Sequence, residues 1–243
     1  MARKRYIYHK GDDAFAIASM KKYLKKQEMD KLLEKLIKPV IAGKKLKILD
    51  AGCGVGHVSG LLSALSPRSA FTGVDQTPLY ITTARQLYRA ENLAFEVGDL
   101  EDLPSKYPKG FDVAVSRAVI SWIPYYTDFM RALVKVAKKH IFLSSLFYEG
   151  DIDFITKVRE FKKESGKEDF NAYYNVYSIP HFKEFMRSLG AKKVKVTDFD
   201  IGIDLPRGPV DHMGTYTEKL KNGKRLQISG AVVMSWKWLR IDL

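Results

Sequence analysis

Three carboxylates and a glycine-rich turn carry the chemistry that this sequence can offer. The chain reads Asp50-Ala-Gly-Cys-Gly-Val-Gly56 after a short apolar run, and further acids close two later apolar runs at Asp75 and Asp99. Glycines at Gly52, Gly54 and Gly56 leave out Cβ atoms where backbone must approach a ligand, and a helix starting after them turns its first N–H groups toward an anion. The spacing is G-x-G-x-G, which departs from the G-x-G-x-x-G of dinucleotide sites, and Asp75 falls where ribose hydroxyls lie in doubly wound folds. Arg117 directly follows another apolar run. An arginine is costly to bury unpaired, so it is a candidate partner for a carboxylate. His9, His57, His181 and His212 are candidate general bases, although each reads first as a surface or packing histidine. His57 adjoins the glycine loop and can touch the same ligand. Aromatic residues at Tyr6, Tyr8, Trp122, Tyr126, Tyr173, Tyr174 and Tyr177 could cage an acceptor, or simply pack a core.

These residues need elements to position them. The stretch Asp13–Val40 is periodic for a helix broken near Gln27–Asp30, with apolar residues at Ile17, Met20, Leu24, Leu32, Leu33, Leu36 and Ile37. Strands are expected at Leu46–Leu49, Ala70–Val74, Ala94–Val97, Phe111–Val115 and His140–Leu146. Helices are expected at His57–Leu65, Pro78–Ala90 and Thr127–Lys138. That alternation predicts an α/β fold with a doubly wound, mostly parallel sheet of the seven-stranded type. Ile152, Ile155, Val158 and Phe161 stand at helical spacing. Ser178 and Pro180 open a helix that Gly190 ends, and Val194–Val196 begins a strand. Asn222-Gly223 marks a hairpin, and Ala231–Ile241 reads as a strand. An antiparallel edge closing the sheet is the natural assignment. The expected organisation is an N-terminal helical cap at 1–45 and a Rossmann-like domain at 46–243, with insertions near 147–177 and 201–229.

Of the 243 residues, 46% are apolar and 28% charged, which suits a globular chain and excludes wholesale disorder. The single cysteine, Cys53, allows no internal disulfide, and no Cys/His cluster has zinc spacing, so no metal is expected. The basic N-terminus leads into Gly11-Asp12-Asp13 and lacks the apolar stretch of a signal peptide; no run is long enough to span a bilayer. A reducing, cytoplasmic setting and no membrane partner are expected. The formal net charge is +13, but the lysines come as scattered pairs, which reads first as a solvated surface.

The stretch Ile48–Gly56, with Phe71-Thr-Gly-Val-Asp75, Val97-Gly-Asp99-Leu100-Glu-Asp-Leu-Pro104, Phe111–Ser116 and Phe182–Gly190, resembles the class I, Rossmann-like S-adenosylmethionine-dependent methyltransferases over about Leu46–Lys195. The resemblance implies that S-adenosyl-L-methionine is the cofactor. It places Asp50 near the cofactor's ammonium, with Gly52, Cys53, Gly54, Gly56 and His57 around its methionyl part. Asp75 with Gln76 would take the ribose side, and Asp99 with the Leu100 N–H the adenine. The backbone around Ser116 and Arg117 would close the pocket beside the sulfonium, and relatives often place a lid where Tyr6 and Tyr8 stand.

The acceptor is read by elimination. Ser116-Arg-Ala-Val-Ile-Ser-Trp-Ile-Pro124 lacks the Asp/Asn-Pro-Pro-Tyr run of base-amine enzymes, and Cys53 lies inside the cofactor loop, away from a nucleophile's place. A small molecule methylated on O or N, under a roof formed by the N-terminal helices and residues 147–177, is the leading expectation. A tRNA or rRNA methyltransferase and a non-catalytic cofactor-binding subunit are the alternatives. The oligomeric state stays open.

Overall fold

The computed structural model describes residues 25–161, 168–208 and 214–243. Tyr6, Tyr8, His9, His212 and the first half of the expected N-terminal helix lie outside the described residues. A helix, α1 (Glu28–Ile41), starts at the expected break, where Gln27 and Asp30 form a capping box. Then come β1 (Lys47–Ala51), α2 (His57–Leu65), β2 (Ala70–Asp75), α3 (Pro78–Leu87), β3 (Leu93–Val97), the single turn α4 (Leu103–Lys106), β4 (Phe111–Arg117), α5 (Thr127–Val136) and β5 (Ala137–Tyr148). The chain continues through β6 (Lys157–Phe161), β7 (Glu168–Tyr173), β8 (Val176–Ser178), α6 (Ile179–Ser188), β9 (Lys193–Asp198), β10 (Thr215–Lys219), β11 (Arg225–Ser229), β12 (Val232–Val233) and β13 (Trp236–Asp242).

The main sheet has the order β3-β2-β1-β4-β5-β13-β9, with β8 added beside the end of β5. All pairs run parallel except those of β13, which is antiparallel to both β5 and β9. The antiparallel edge is thus the pair β13–β9, with the final strand one place in from the rim. Adjacent residues of β1 feed opposite layers, as the pleat requires. Ile48 packs with Leu33, Ile37, Leu62 and Trp238 under α1 and α2, whereas Leu49 packs with Leu133, Phe147, Phe182 and Met186 under α5 and α6. Full burial of each such side chain contributes roughly 1.5–3 kcal/mol.

The added segments fold as small sheets. The Asn222-Gly223 turn joins β10 and β11 as its residues predict, but this hairpin forms a separate three-stranded sheet with β12. The helix expected from Ile152 to Phe161 is absent. Ile152 and Ile155 are exposed, Phe154 bridges Val176, and Lys157–Phe161 pairs with β7. The reason is tertiary: Asp153 accepts the Ser178 N–H at 2.6 Å, and the Asn175 side chain accepts the Thr156 N–H at 3.1 Å, which holds the segment extended.

Candidate active site

The loop from Gly52 to Gly56 joins the carboxyl end of β1 to α2. The N–H groups of Gly52 and Cys53 both donate to the Val74 carbonyl, at 2.8 and 3.0 Å, which fastens the turn to β2. Gly52 and Gly56 have φ of +75° and +83°, where any side chain is strained. A Cβ on Gly52 would stand 2.4 Å from Val119 Cγ2, and one on Gly56 would stand 2.6 Å from Phe95 Cζ. Val119 reaches the loop because Ala118, at φ +60°, turns the chain sharply after β4. Such strain costs of order 1–3 kcal/mol and clusters at ligand sites. The turn is fixed by Ala118 N–H bonds to the Ser144 carbonyl and hydroxyl, at 3.0 and 3.2 Å.

The three predicted acids stand at the carboxyl ends of adjacent strands β1, β2 and β3. Asp50 is 4% exposed and accepts the Ser59 hydroxyl at 2.6 Å; burial pushes its carboxyl up to about 6. Asp75 takes one backbone N–H on each oxygen, from Gly54 at 3.0 Å and Thr77 at 2.9 Å, and burial raises its pKa as well. Each oxygen keeps acceptor capacity for a further donor. Asp99 is partly exposed, accepts the Glu101 N–H at 3.0 Å and borders a cavity of ≈ 310 Å³ lined by Val74, Val97, Gly98 and Leu103. Gln76 lies half-buried beside Asp75, and Leu100 packs partly into the core.

A fourth acid completes the site. Asp30, in the first turn of α1, is fully buried and gathers three chain segments. His57 Nε2 lies 2.8 Å from one carboxylate oxygen, which also accepts the Gln27 N–H at 2.7 Å. Arg117 Nη1 lies 3.0 Å from the other oxygen, and Arg117 also donates to the Gln27 side chain. Burial alone would raise the Asp30 pKa, but the His57 hydrogen bond and the Arg117 charge outweigh it and hold the carboxyl below its usual value. The Trp238 indole N–H donates to the Met29 carbonyl at 3.3 Å, which fastens the same turn to β13. Sequence reasoning missed Asp30 and Ser59. A signal for Asp30 was present: it is the one acid on the apolar stripe it shares with Leu33 and Ile37.

Several expected roles change. Arg117 and His57 are engaged with Asp30, so the arginine's carboxylate partner comes from the chain itself. Ser116 is fully buried and its hydroxyl donates to the Ala51 carbonyl at 2.9 Å, so its side chain joins β4 to β1 and leaves its backbone as the part that can border the site. Cys53 is buried and desolvation raises its thiol pKa strongly, which fits a packing role. The proposed aromatic cage is largely core. Tyr126 stacks edgewise on Tyr177 and packs against Phe182 and Phe185, and burial pushes its hydroxyl up to about 12. Tyr177 is 2% exposed and donates to the Ile120 carbonyl at 3.0 Å. Trp122 meets Tyr174 edge-on with centroids 4.2 Å apart, and Tyr173 stays half-buried at the end of β7. Of the described candidate bases other than His57, His181 is exposed, 3.8 Å from Asp151.

Residues 42–195 match the family model described as a methyltransferase domain. The chain belongs to the methyltransferase domain family. Malonyl-[acyl-carrier protein] O-methyltransferase of Bacillus anthracis is 27% identical over 145 residues, 60% of this chain and 48% of that protein. Trans-aconitate 2-methyltransferase of Methylobacterium nodulans is 32% identical over 89 residues, 37% of this chain and 33% of that protein. The matched part thus spans a third to a half of these relatives. Among solved structures, the complex between the Haloferax volcanii Trm112 methyltransferase activator and a methyltransferase gives a TM-score of 0.63 at 13% identity, covering 95% of this chain and 94% of that one. Magnesium protoporphyrin IX methyltransferase from Synechocystis, with bound S-adenosylmethionine, gives 0.54 at 16% identity, covering 98% and 88%. At such identity the likeness is one of fold.

The cofactor of this methyltransferase family is S-adenosylmethionine, and the residues present fit it. A side chain at Gly52 or Gly56 would fill the loop, Asp50 is a buried carboxylate with no cation paired to it among the described residues, and a cavity opens beside Asp99. The family match begins at residue 42, so α1 with Asp30 lies outside it, while the Asp30 partners His57 and Arg117 lie inside. Among the described residues no helix is long and apolar enough to cross a membrane.

Proposed function

We propose that this chain is an S-adenosylmethionine-dependent methyltransferase that methylates a small molecule on oxygen, with a carboxylate as the acceptor. When bound, the cofactor supplies an electrophilic methyl group on a sulfonium, so the protein's task is to align, to exclude water and to hold charge. Asp50 would hold the ammonium, the first N–H groups of α2 the carboxylate, Asp75 the ribose and Asp99 the adenine amino group. Asp30, His57 and Arg117 would keep α1 seated over the glycine loop and so keep water from the sulfonium.

The observation that carries the acceptor is that two matched relatives are named for carboxylic acids, a malonyl group and trans-aconitate. His57 adjoins the cofactor loop with its Nε2 engaged by Asp30, which leaves Nδ1 as the nitrogen able to take a proton. A hydroxyl or ammonium acceptor needs a base, whereas a carboxylate is already ionised at neutral pH. The O-methyltransferase among the matched relatives supports the same reading. The test uses purified protein, methyl-tritiated S-adenosylmethionine and fractionated cell extract. Label should enter the small, nuclease-resistant fraction and leave as volatile methanol on mild alkali, as a methyl ester does. Alkali-stable label would overturn the carboxylate, and label in nuclease-sensitive polymer would overturn the small molecule.

A further inference from the structure

We propose that the sheet edge opposite the glycine loop is a nucleic-acid-binding face, where lysines from three chain segments meet a phosphate backbone. β1, β4, β5 and β9 all run the same way, and β13 runs against them, so the starts of the four strands and the end of β13 share one rim. The register confirms it: Phe111 stands opposite Ala137, and Asp242 stands opposite both His140 and Lys193. Onto this rim the chain delivers Lys44 and Lys45 before β1, Lys138 and Lys139 at the start of β5, and Lys193 at the start of β9, all exposed.

Two rim carboxylates stand among these lysines, and both are engaged. Asp112 accepts the Lys47 N–H at 3.0 Å and pairs with Lys139 at 3.0 Å; Asp242 is bound by His140 at 2.7 Å and by Arg240 at 2.8 Å. Lys44, Lys45, Lys138 and Lys193 have no carboxylate at ion-pair distance among the described residues. Asp112 reports the local potential. Partial burial would raise its carboxyl, yet the Lys47 N–H and the charges of Lys139 and Lys138 hold it below the usual range.

Cations also gather at helix C-termini because of the helix dipole. That explains other residues on this rim. Lys109 donates to the Val134 and Ala137 carbonyls at the end of α5, and Arg68 donates to Gly43 just past α1. The paired lysines make no such bonds. From β1 to β9 there are four strand steps of about 4.8 Å, so the row extends about 19 Å. One strand of a duplex presents a phosphate about every 3.4 Å along its axis, so the row faces about five of them. A protein partner would need an apolar centre, and among the described residues no large exposed apolar side chain lies on the rim between β1 and β9. A phosphate backbone needs only the cations. The rim is a strand length, about 17 Å, from the glycine loop. Nucleic acid held there is an anchor and brings no base to the pocket, so this inference stands apart from the acceptor.

The test is fluorescence anisotropy with a labelled 20-base-pair DNA duplex between 50 and 200 mM NaCl. The intact protein should bind, with log K falling by about 4 per log unit of salt, as four or five contacts of about 0.9 each require. A variant carrying Lys44→Glu, Lys45→Glu, Lys138→Glu and Lys193→Glu should lose at least tenfold at 100 mM and show a flatter slope. A control with Lys157→Glu, Lys219→Glu, Lys221→Glu and Lys224→Glu changes net charge equally and should bind far better than the rim variant. Should the first variant fail to fold, rim and control sets both made as glutamine again change net charge equally and give the same comparison. No binding by the intact protein at 50 mM, or equal losses in rim variant and control, would overturn the proposal.

Discussion

At the residue scale the apo-protein is held under tension by one carboxylate. Asp50 is buried, its described hydrogen-bond donor is the Ser59 hydroxyl, and its carboxyl is pushed up to about 6. Against a usual 3.8 that shift is roughly two units, or about 3 kcal/mol. Because the folded value lies above the unfolded one, the penalty is absent below about pH 4 and complete above about pH 6. A cofactor ammonium would remove it by supplying the missing charge. Asp50→Asn keeps the shape and the Ser59 bond without the charge. The apo variant should melt several degrees above the parent at pH 7.5 and bind S-adenosylmethionine at least tenfold more weakly. Scanning calorimetry and titration calorimetry read the two effects, and a variant that binds like the parent would remove Asp50 from the cofactor site. Asp50, Asp75 and Asp99 were legible in the sequence because a strand end fixes where its last residue points. Asp30 was hidden because its partners come from 27 and 87 residues away, and only the folded chain brings them together.

At the scale of elements, α1 is the part whose attachment matters. Its apolar stripe would hold it to the sheet in any register that buries Leu33 and Ile37, and the Asp30 cluster selects the one that sets its first turn against His57 and Arg117. Asp30→Ala leaves Arg117, only 20% exposed, without its carboxylate, a loss that costs about 3–5 kcal/mol when one partner of a buried pair is removed. The double variant Asp30→Ala/Arg117→Ala should cost clearly less than the sum of the two single changes, with a coupling above about 1.5 kcal/mol in urea unfolding. Additive losses would show that α1 is held by packing alone. The βα alternation was legible because strand and helix periods differ and because Gly, Pro and Ser mark the joints. Residues 152–161 were misread for a physical reason. A spacing of three satisfies a helix, but Asp153 and Asn175 bond the backbone in an extended path that no local rule contains.

For the whole molecule, opposing carboxylate shifts set the response to pH. Asp30, Glu96, Asp112, Glu149 and Asp242 titrate below their usual values, because burial in each case is outweighed by donors and cations, or at Glu149 because Lys237 leads. Their stabilisation is complete above the usual carboxylate range and is lost as pH falls through the lowered values, below about 4. Asp50 and Asp75 are shifted upward, so the fold gains stability as pH falls from about 6 toward 4. The two trends cross, and the apo-protein should be most stable between about pH 4 and 5. Below that, each protonated carboxylate adds to a formal net charge already at +13, and self-repulsion steepens the loss. That count was legible in the sequence; the gathering of lysines on one rim was not, because it follows from strand direction. Saturating S-adenosylmethionine should flatten the rise between pH 7 and pH 5, since a bound ammonium keeps Asp50 ionised, and should leave the acid collapse in place. Melting curves from pH 3 to 8, with and without the cofactor, read both limbs. A stability that only falls from pH 7 downward in the apo-protein would mean that Asp50 and Asp75 are solvated well enough to ionise normally, and that the tension at the site is not there.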